Sequence, residues 1–359
     1  MIDYFLFAGE KSGDLHGARL LKKLAKPNIK IAAVAGPQMR QYSIDCPIKT
    51  ELFEVMGFLD IVPALPRLFF LFHKVKRAIL KREPKTVILI DYAEFNMLLA
   101  KALRKSGFQG KIIQYICPTV WAWRKNRIHT MAKYLDEVQC ILPFEPDCFK
   151  NTPLKATYVG HPLLEEFKEF KYDPTWSKKF SKKPILAIFP GSRTKEIKRN
   201  LPIQLRVAKK LAQKHNLQPV ISCAHAKHIR AILSRNKDDY PIVDERHTHN
   251  LMHDARLAIA TSGTVNLQLA LHGVPTAVTY SIRRLDQFIA QKLLRIDLPY
   301  YSLPNIIAQK ELYPEFYGTN LKEPQLTQAL EGLLCSNLQP KSNSNFKLLI
   351  SRLATNSSM

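Results

Sequence analysis

Short apolar runs alternate with longer amphipathic segments along most of this 359-residue chain, and the alternation begins anew about halfway. Apolar runs of about four to eight residues fit strands that are buried on both faces, and helices between such strands indicate a parallel sheet covered on both sides. The first set of predicted strands comprises residues 4–8, 31–35, 86–90, 111–116, 137–142 and 156–159. The second set comprises residues 185–189, 218–222, 242–244, 257–260 and 276–280. Helical patterns between the strands include residues 14–25, 66–81, 96–105, 121–134, 195–215 and 284–294. The sequence therefore predicts an α/β protein.

The two sets of strands predict two doubly wound, Rossmann-like domains that face a cleft. We place the first domain at residues 1–164 and the second at residues 184–335. Residues 165–183, rich in Lys, Phe, Pro and Ser, are predicted to link them, and residues 336–359 to form a C-terminal tail. Because ligands of such sheets bind beyond the carboxyl ends of the strands, the residues that follow the strands are the candidates for chemistry.

Lysine and arginine outnumber aspartate and glutamate by 54 to 30, a net charge of +24. This excess implies an anionic partner, which on charge alone is nucleic acid, an anionic membrane surface or a phosphorylated substrate. The six cysteines form no C-x-x-C pair, which favours a reducing compartment and argues against a zinc site. No apolar run reaches the roughly 20 residues that a membrane-spanning helix needs. The apolar and basic segment from Leu65 to Ala78 is expected either to lie on a membrane surface or to be a buried helix face.

The first predicted strand runs into Gly9-Glu10-Lys11-Ser12-Gly13-Asp14 and then into a helix. A glycine turn before a helix N-terminus suits an anion or sugar hydroxyls. The carboxylate of Glu10 would repel a dinucleotide phosphate, so a polar acceptor is favoured there. The alternative is N-capping of the helix by Ser12 or Asp14.

Further candidates follow the later strands of the first set. Asp91 ends the strand at 86–90, where a general base is expected in such a crevice, although Asp91 or Glu94 could instead cap the next helix. Residues 117–124 hold two of the three tryptophans beside basic residues, a pattern that suits stacking on bases, a lipid-facing groove or a closed core. His161 ends the last strand of the set and is either structural or catalytic.

Two glycine turns follow strands of the second set. Pro190-Gly191-Ser192-Arg193 and Thr261-Ser262-Gly263-Thr264 each precede a predicted helix, so both suit phosphate groups. Gln268 lies one helical turn beyond Thr264, on the same face, where it could reach a ribose. No Walker A motif is present, which argues against an ATPase, and no G-x-S-x-G motif suggests acyl-enzyme chemistry.

Nine short motifs follow one another along the chain. They are Gly9-Glu10-Lys11-Ser12-Gly13-Asp14, Val55-Met56-Gly57-Phe58, Ile90-Asp91-Tyr92-Ala93-Glu94-Phe95-Asn96, Pro118-Thr119-Val120-Trp121-Ala122-Trp123, Leu142-Pro143-Phe144-Glu145, Gly160-His161-Pro162, Pro190-Gly191-Ser192-Arg193, Ser262-Gly263-Thr264 and Ser302-Leu303-Pro304-Asn305. Each motif alone is unspecific, but in this order they resemble the lipid A disaccharide synthase family, inverting glycosyltransferases of the GT-B fold. The resemblance covers roughly residues 3 to 335.

The resemblance implies that UDP-2,3-diacylglucosamine donates its sugar to the 6-hydroxyl of 2,3-diacylglucosamine 1-phosphate (lipid X), giving a β-1,6 disaccharide and UDP. It implies that Asp91 is the base that deprotonates the hydroxyl, and that Arg193 stabilises the leaving diphosphate without a metal or other cofactor. The acceptor would bind at Glu10, Ser12 and Asp14. The donor would bind at residues of the second domain, namely Gly191, Ser192, Arg193, Ser262, Gly263, Thr264, Gln268 and Asn305.

Two positions depart from the family pattern. Gln268 stands where the family commonly has an acid, and GT-B enzymes often use such an acid to hold the ribose hydroxyls. Glu94 stands where related sequences often carry aspartate. Neither departure removes Asp91 or Arg193, so the resemblance still predicts an enzyme.

The lipid substrates give the basic charge a cause, because they lie in an anionic bilayer. The protein is therefore expected in the cytoplasm, peripherally bound to the inner face of the inner membrane of a Gram-negative-type bacterium. A homodimer is left open. The alternatives are a UDP-N-acetylglucosamine epimerase or another GT-B glycosyltransferase and, in a different class, a basic nucleic-acid-binding protein. No RNA-module signature supports the last, so no nucleic-acid partner is expected.

Overall fold

The computed structural model describes residues 2–24, 26–53, 61–176, 180, 182–282, 298–335 and 344–354. The chain divides into two compact units, Met1–Pro162 and Leu163–Met359, so the segment predicted as a linker belongs to the second unit. Three predicted features lie outside the described residues: the motif at 55–58, the helix at 284–294 and the start of the tail at 336–343.

The first unit is built on a parallel sheet. Its strands are β1 (Ile2–Ala8), β2 (Ile31–Ala35), β3 (Asp45–Lys49), β4 (Pro84–Ile90), β5 (Lys111–Tyr115), β6 (Glu137–Cys140) and β7 (Lys155–Tyr158). Its helices are α1 (Lys11–Leu24), α2 (Ile61–Arg82), α3 (Ala93–Lys105) and α4 (Arg127–Tyr134). The seven strands run in the order β3-β2-β1-β4-β5-β6-β7, and every pairing is parallel.

The first sheet is buried on both faces, as its uninterrupted apolar strands require. In β1, Phe5 and Phe7 point to one face, where they pack in a cluster with Val75 and Ile79 of α2. Leu6 and Ala8 point to the other face, and they cluster with Leu21 of α1. The alternation follows from the two-residue period of a strand.

The second unit repeats this plan. Its strands are β8 (Ile185–Phe189), β9 (Gln218–Ser222), β10 (Ile242–Val243), β11 (Ala255–Thr261), β12 (Thr276–Tyr280) and β13 (Glu315–Tyr317). Its helices are α5 (Pro162–Glu169, which begins on the last residue of the first unit), α6 (Thr194–His215), α7 (Ile229–Leu233), α8 (Thr248–Asp254), α9 (Thr264–Leu271), α10 (Leu303–Ala308), α11 (Glu323–Cys335) and α12 (Ser344–Leu353). The parallel strand order is β10-β9-β8-β11-β12-β13. The predicted α/β architecture of two doubly wound domains is confirmed for each unit.

Most differences between prediction and structure fall at edges and ends. The unpredicted strands β3 and β13 are both edge strands, and β3 contains Pro47, which breaks the apolar pattern. The helix predicted from residue 121 begins only at Arg127, because Arg124 has a positive φ of 53° that an α-helix does not allow. The end of the predicted tail forms α12, with Leu349 and Leu353 fully buried.

None of the helices in the described ranges combines the length and the apolar character that crossing a bilayer demands.

Candidate active site

The first candidate site lies where the strand order of the first sheet reverses. The chain moves outward from β1 in one direction and from β4 in the other, and these two strands are neighbours with Ala8 opposite Ile90. The glycine turn after β1 and Asp91 after β4 therefore emerge side by side, at the position where doubly wound sheets bind ligands. The hydroxyl of Ser12 donates a hydrogen bond of 2.9 Å to Oδ2 of Asp91.

Asp91 has an unusual backbone that buried groups hold in place. Its φ is 54°, a left-handed value that is uncommon outside glycine. Its carbonyl oxygen accepts hydrogen bonds from the side-chain amides of Asn96 (2.8 Å) and Gln114 (2.9 Å), and its own N–H donates to the carbonyl of Tyr115 (3.0 Å). Asn96 and Gln114 are fully buried. Strain of this kind persists where the surroundings fix it, and it is common at functional sites.

Gln114 was not singled out from the sequence, although a signal was present. It is the polar residue within the otherwise apolar core of strand β5. A buried amide in a strand must have hydrogen-bond partners, which here are supplied by the turn that carries Asp91.

The predicted acceptor residues separate into two kinds. Glu10 is exposed beside the turn, and partial desolvation together with the charge of Asp91 raises its pKa. Asp14, by contrast, is buried, and its carboxylate accepts hydrogen bonds from the backbone N–H groups of Gly36, Gln38 and Met39 at 2.8–3.1 Å. The carboxylate of Asp14 therefore ties α1 to the loop after β2, and its contact with an acceptor stays a prediction.

His161 is buried at the end of the first unit. Burial, with the nearby charges of His16 and Arg19, lowers its pKa to about 4. The imidazole is therefore neutral near pH 7, which suits a structural hydrogen-bonding group more than a proton donor.

The tryptophan segment is held by ion pairs and ring contacts. Trp121 meets Phe144 edge to face at 5.3 Å, and the guanidinium of Arg124 lies 4.5 Å from the centre of the Trp123 ring. Glu94 accepts from Arg124 at 2.8 Å and also from Arg127. Glu94 on α3 thus holds this segment through two arginines. Its carboxylate is engaged there and does not cap the helix.

Three side chains of the kinds that bind metal ions lie close together in the core of the first unit. The thiols of Cys117 and Cys140 and the carboxylate of Glu145 are buried within 4.8 Å of one another. Burial raises the pKa of Glu145 to about 7, although its Oε2 accepts from the N–H groups of Ile141 and Leu142. The hydrogen bond with Cys140 and burial raise the pKa of the Cys117 thiol. A metal would have to displace these protons and part of the turn that Glu145 holds.

The second unit carries an equivalent reversal of strand order between β8 and β11, with Phe189 opposite Ala260. Gly191 follows β8 with a φ of 117°, and a Cβ there would lie 3.0 Å from the Glu196 side chain. Arg193 is exposed, and its guanidinium donates to Glu196 across 2.7 Å. The same carboxylate accepts the N–H of Ser192 at 3.3 Å. The turn therefore already holds one anionic group.

The turn after β11 brings Ser262, Gly263 and Thr264 to the same edge of the second sheet. Gly263 and Thr264 are exposed, and a Cβ on Gly263 would meet no atom within 4 Å. The hydroxyl of Tyr317 donates to the Oγ of Ser262 across 3.4 Å. Two glycine turns thus flank the reversal point, as expected for a site that takes a diphosphate.

Gln268 and Asn305 have different surroundings. Gln268 is half-buried on α9, and its amide donates to Oε1 of Glu166 at 3.5 Å. Asn305 is fully buried on α10, and its amide bonds to the segment that follows this helix: Oδ1 accepts from the N–H groups of Leu312 and Tyr313, while Nδ2 donates to the carbonyl of Tyr313 and to Glu315 at the start of β13. Asn305 therefore holds the loop after α10 in place, and its role in donor binding stays a prediction.

Helix α2 exposes part of its apolar surface. Leu71, Val75 and Ile79 face the core, at the four-residue spacing of one helix face. Phe69 and Phe70 are 68% and 66% exposed, and Leu65 is also exposed. Phe72, in contrast, packs edge to face on Phe95 at 5.5 Å, so it belongs to the core. The exposed residues that follow include the basic side chains Lys74, Arg77 and Lys81.

Comparisons with known proteins agree with the fold. A crystal structure of Methanocaldococcus jannaschii UDP-GlcNAc 2-epimerase in complex with UDP-GlcNAc and UDP has a TM-score of 0.58 at 12% identity, covering 98% of each chain. The glycosyltransferase of kitacinnamycin has a TM-score of 0.63 at 10% identity, covering 98% of this chain and 95% of that one. At these identities the likeness concerns the fold alone, which is shared by glycosyltransferases and epimerases.

Comparisons of sequence are more specific. The lipid-A-disaccharide synthase of Chlamydia felis is 40% identical over 359 residues, covering 98% of this chain but 57% of the relative. The chain thus spans little more than half the length of this chlamydial relative. The lipid-A-disaccharide synthase of Idiomarina loihiensis is 34% identical over 345 residues, covering 93% of this chain and 90% of the relative. The family model for lipid-A-disaccharide synthetase matches residues 4–357. The resemblance in the motifs is thereby confirmed, and the chain belongs to the lipid-A-disaccharide synthetase family.

Proposed function

We propose that this chain is an inverting glycosyltransferase that joins UDP-2,3-diacylglucosamine to lipid X, forming the β-1,6 disaccharide 1-phosphate and UDP. The observation that supports it most directly is the pairing of Asp91 with Ser12 at the reversal point of the first sheet, with Glu10 beside them. A carboxylate on a fixed backbone next to hydroxyl-binding groups is the arrangement that deprotonation of a sugar hydroxyl needs.

In the proposed reaction, Asp91 takes the proton of the acceptor 6-hydroxyl while that oxygen attacks the anomeric carbon of the donor. The bond from this carbon to the diphosphate oxygen breaks as the new bond forms on the opposite face, so the configuration inverts. Ser12 orients the carboxylate of Asp91 through its hydrogen bond. Glu10 would accept a hydrogen bond from the acceptor sugar.

The donor is proposed to bind the second unit at its two glycine turns. The leaving diphosphate gains negative charge, and Arg193, with the N-termini of α6 and α9, would stabilise it. Arg193 and the N–H of Ser192 both donate to the carboxylate of Glu196. The diphosphate would therefore displace this carboxylate from them as it binds. The N–H groups of the turn after β11 would hold its other phosphate.

The exposed part of α2 is proposed to bind an anionic membrane surface. Phe69, Phe70 and Leu65 would enter the interface, and the basic residues that follow would lie near lipid phosphates. Acylated substrates are held in such a surface, so this contact would bring the first unit to its acceptor. The corresponding location is the inner face of the bacterial inner membrane.

The decisive experiment measures UDP release from UDP-2,3-diacylglucosamine with and without lipid X, with mass spectrometry of the lipid product. The proposal expects UDP release that depends on lipid X and a product with the mass of the disaccharide phosphate. Conversion of UDP-N-acetylglucosamine to its 2-epimer without any acceptor would establish the epimerase alternative instead.

A further inference from the structure

Gln268 belongs to a hydrogen-bonded network of polar side chains that joins three helices of the second unit. Its Nε2 lies 3.5 Å from Oε1 of Glu166 on α5. The same oxygen lies 3.0 Å from Nε2 of His249 on α8, whose Nδ1 lies 3.0 Å from Nε2 of His272. Glu166 and His249 are well shielded, with 31% and 19% of their side chains exposed. Phe170 packs on both imidazole rings at 5.3 and 5.5 Å, which restricts their rotation.

The chemistry of the Glu166 carboxylate determines which group donates in each hydrogen bond of this network. An ionised Glu166 only accepts hydrogen bonds, so both groups that approach its Oε1 must donate. His249 therefore carries its proton on Nε2, and its Nδ1 accepts from His272 in the neutral ring. For the same reason Gln268 turns its NH2 group toward Glu166. Its carbonyl oxygen then faces away from Glu166 and is presented as an acceptor.

We infer that Glu166 is a positioning residue for nucleotide binding, which fixes the amide of Gln268 so that its oxygen accepts a ribose hydroxyl of the donor. The inference rests on the proposed donor site on the second unit. Glutamine alone offers either an oxygen or an NH2 group to a ligand, since its amide can flip. Because the NH2 group of Gln268 is held by Glu166, only its oxygen is available to a ligand. A carboxylate at position 268 would likewise present an oxygen. A negative charge is thereby kept at the site, one side chain further from the ligand.

This arrangement predicts that an acid at position 268 is harmful while Glu166 is present. Gln268→Glu would place two carboxylates about as close as the present 3.5 Å contact, and both cannot stay ionised without a large cost. Adding Glu166→Gln removes that conflict. In the new amide at position 166, the NH2 group takes the place of Oε1 and donates both to the new carboxylate at position 268 and to Nε2 of His249, whose proton then lies on Nδ1 and is donated to His272. The double variant thus exchanges the acid and the amide between the two positions.

The test is a double-mutant cycle on the full chain, with the dissociation constant of UDP measured by calorimetry. Gln268→Glu should weaken UDP binding roughly tenfold or more, and Glu166→Gln should weaken it about threefold. The double variant should return to within about threefold of the parent, which is the opposite of additive effects. Glu165→Gln on the same helix removes the same charge and serves as the matched control, with no change expected.

A second ligand separates nucleotide recognition from a merely structural role. With 2′,3′-dideoxy-UDP the parent and the three variants should bind alike, because the hydroxyl that reads position 268 is missing. Additive losses with UDP, or the same pattern with the dideoxy ligand, would overturn the role of Glu166 while UDP binding to the parent leaves the donor site standing. If the parent does not bind UDP, the proposed donor function and this inference both fail.

Discussion

Ser12 and Asp91 are 79 residues apart in the sequence, and their side chains meet across 2.9 Å at the carboxyl ends of two adjacent strands. The hydroxyl donates and the carboxylate accepts, so Oδ2 of Asp91 has a fixed direction before any substrate arrives. The pair joins the first turn of α1 to the first residue after β4. The candidate base is thereby positioned by the same turn that is proposed to bind the acceptor.

Replacing Asp91 with asparagine should abolish most turnover while the fold persists, because asparagine keeps the size of the side chain and its bond to Ser12 but accepts no proton. Loss of a general base typically lowers kcat by about 10² to 10⁴. Steady-state UDP release and UDP calorimetry measure the two effects, and UDP affinity should stay at the parent value. Asp147→Asn, at an exposed ion pair of the same unit, is the control. Near-normal kcat in Asp91→Asn would end the assignment of the base.

The same Asp91→Asn variant should lower the pKa of Glu10. The pKa of Glu10 is raised first by desolvation and second by the charge of Asp91, so removing that charge leaves only the first cause. Carboxyl carbon NMR during a pH titration measures it. Glu51, whose pKa is held at about 2 by Arg40, is an internal reference that should not move. An unchanged Glu10 titration would show that the two carboxylates do not interact.

Arg193→Ala should weaken UDP binding and lower kcat. Arg193 is proposed to stabilise the diphosphate, and this stabilisation increases as negative charge develops on the leaving group. A charged hydrogen bond of this kind contributes about 1.5 to 3 kcal/mol, so we expect roughly a tenfold to hundredfold loss in kcat/KM. Arg206→Ala removes an exposed ion-paired arginine from the helix that follows and should leave both quantities unchanged. Equal behaviour of the two variants would place the diphosphate elsewhere.

Phe69→Ser with Phe70→Ser should weaken binding to vesicles of anionic lipid and raise KM for acceptor presented in a bilayer. Both side chains are mostly exposed, so the fold should keep its melting temperature. Cosedimentation with vesicles at low and high salt measures the binding, which salt should weaken in the parent. Leu233→Ser, at an exposed leucine of the second unit, is the matched control. Parent-like vesicle binding by the double variant would remove α2 from the membrane contact.

The stability of the protein should fall as the pH drops from about 6.5 to about 4, in part because of His161. Its pKa is lowered to about 4 in the fold against an ordinary 6.5, so the unfolded chain binds the proton more tightly over that interval. The full difference corresponds to roughly 3 kcal/mol. Urea unfolding at several pH values should show a flatter pH dependence for His161→Gln. His129→Gln, at an exposed histidine, should show the same pH dependence of stability as the parent. If His161→Gln also showed the pH dependence of the parent, the claim that His161 is neutral in the fold would be refuted.

The architecture was accessible from the sequence because buried parallel strands leave uninterrupted apolar runs. The ends of β1, β4, β8 and β11 were located from these runs, and with them Asp91 and the glycine turns. The edge strands β3 and β13 were not, since an edge strand needs no continuous apolar pattern. The burial of Asp14 and Asn305 could not be foreseen either. A polar residue that completes a loop and one that binds a ligand have the same local sequence signal, and only the fold shows where the hydrogen bonds go.

The partners of Glu166 were equally hidden, because Glu166 on α5 lies 83 residues before His249 and 102 residues before Gln268. The departure at Gln268 was visible as a missing acid, while the neighbouring carboxylate came from a segment predicted to be a linker. No local pattern connects these two positions.

The amides of Asn96 and Gln114 have one further consequence. Both bond to the carbonyl oxygen of Asp91 from inside the core, so the left-handed turn at that residue depends on groups that never touch a substrate. A random-mutagenesis screen for inactive protein would recover changes at these two interior positions together with those at Asp91. The overall fold of such variants would stay native, and the defect would lie in the direction of a single carboxylate.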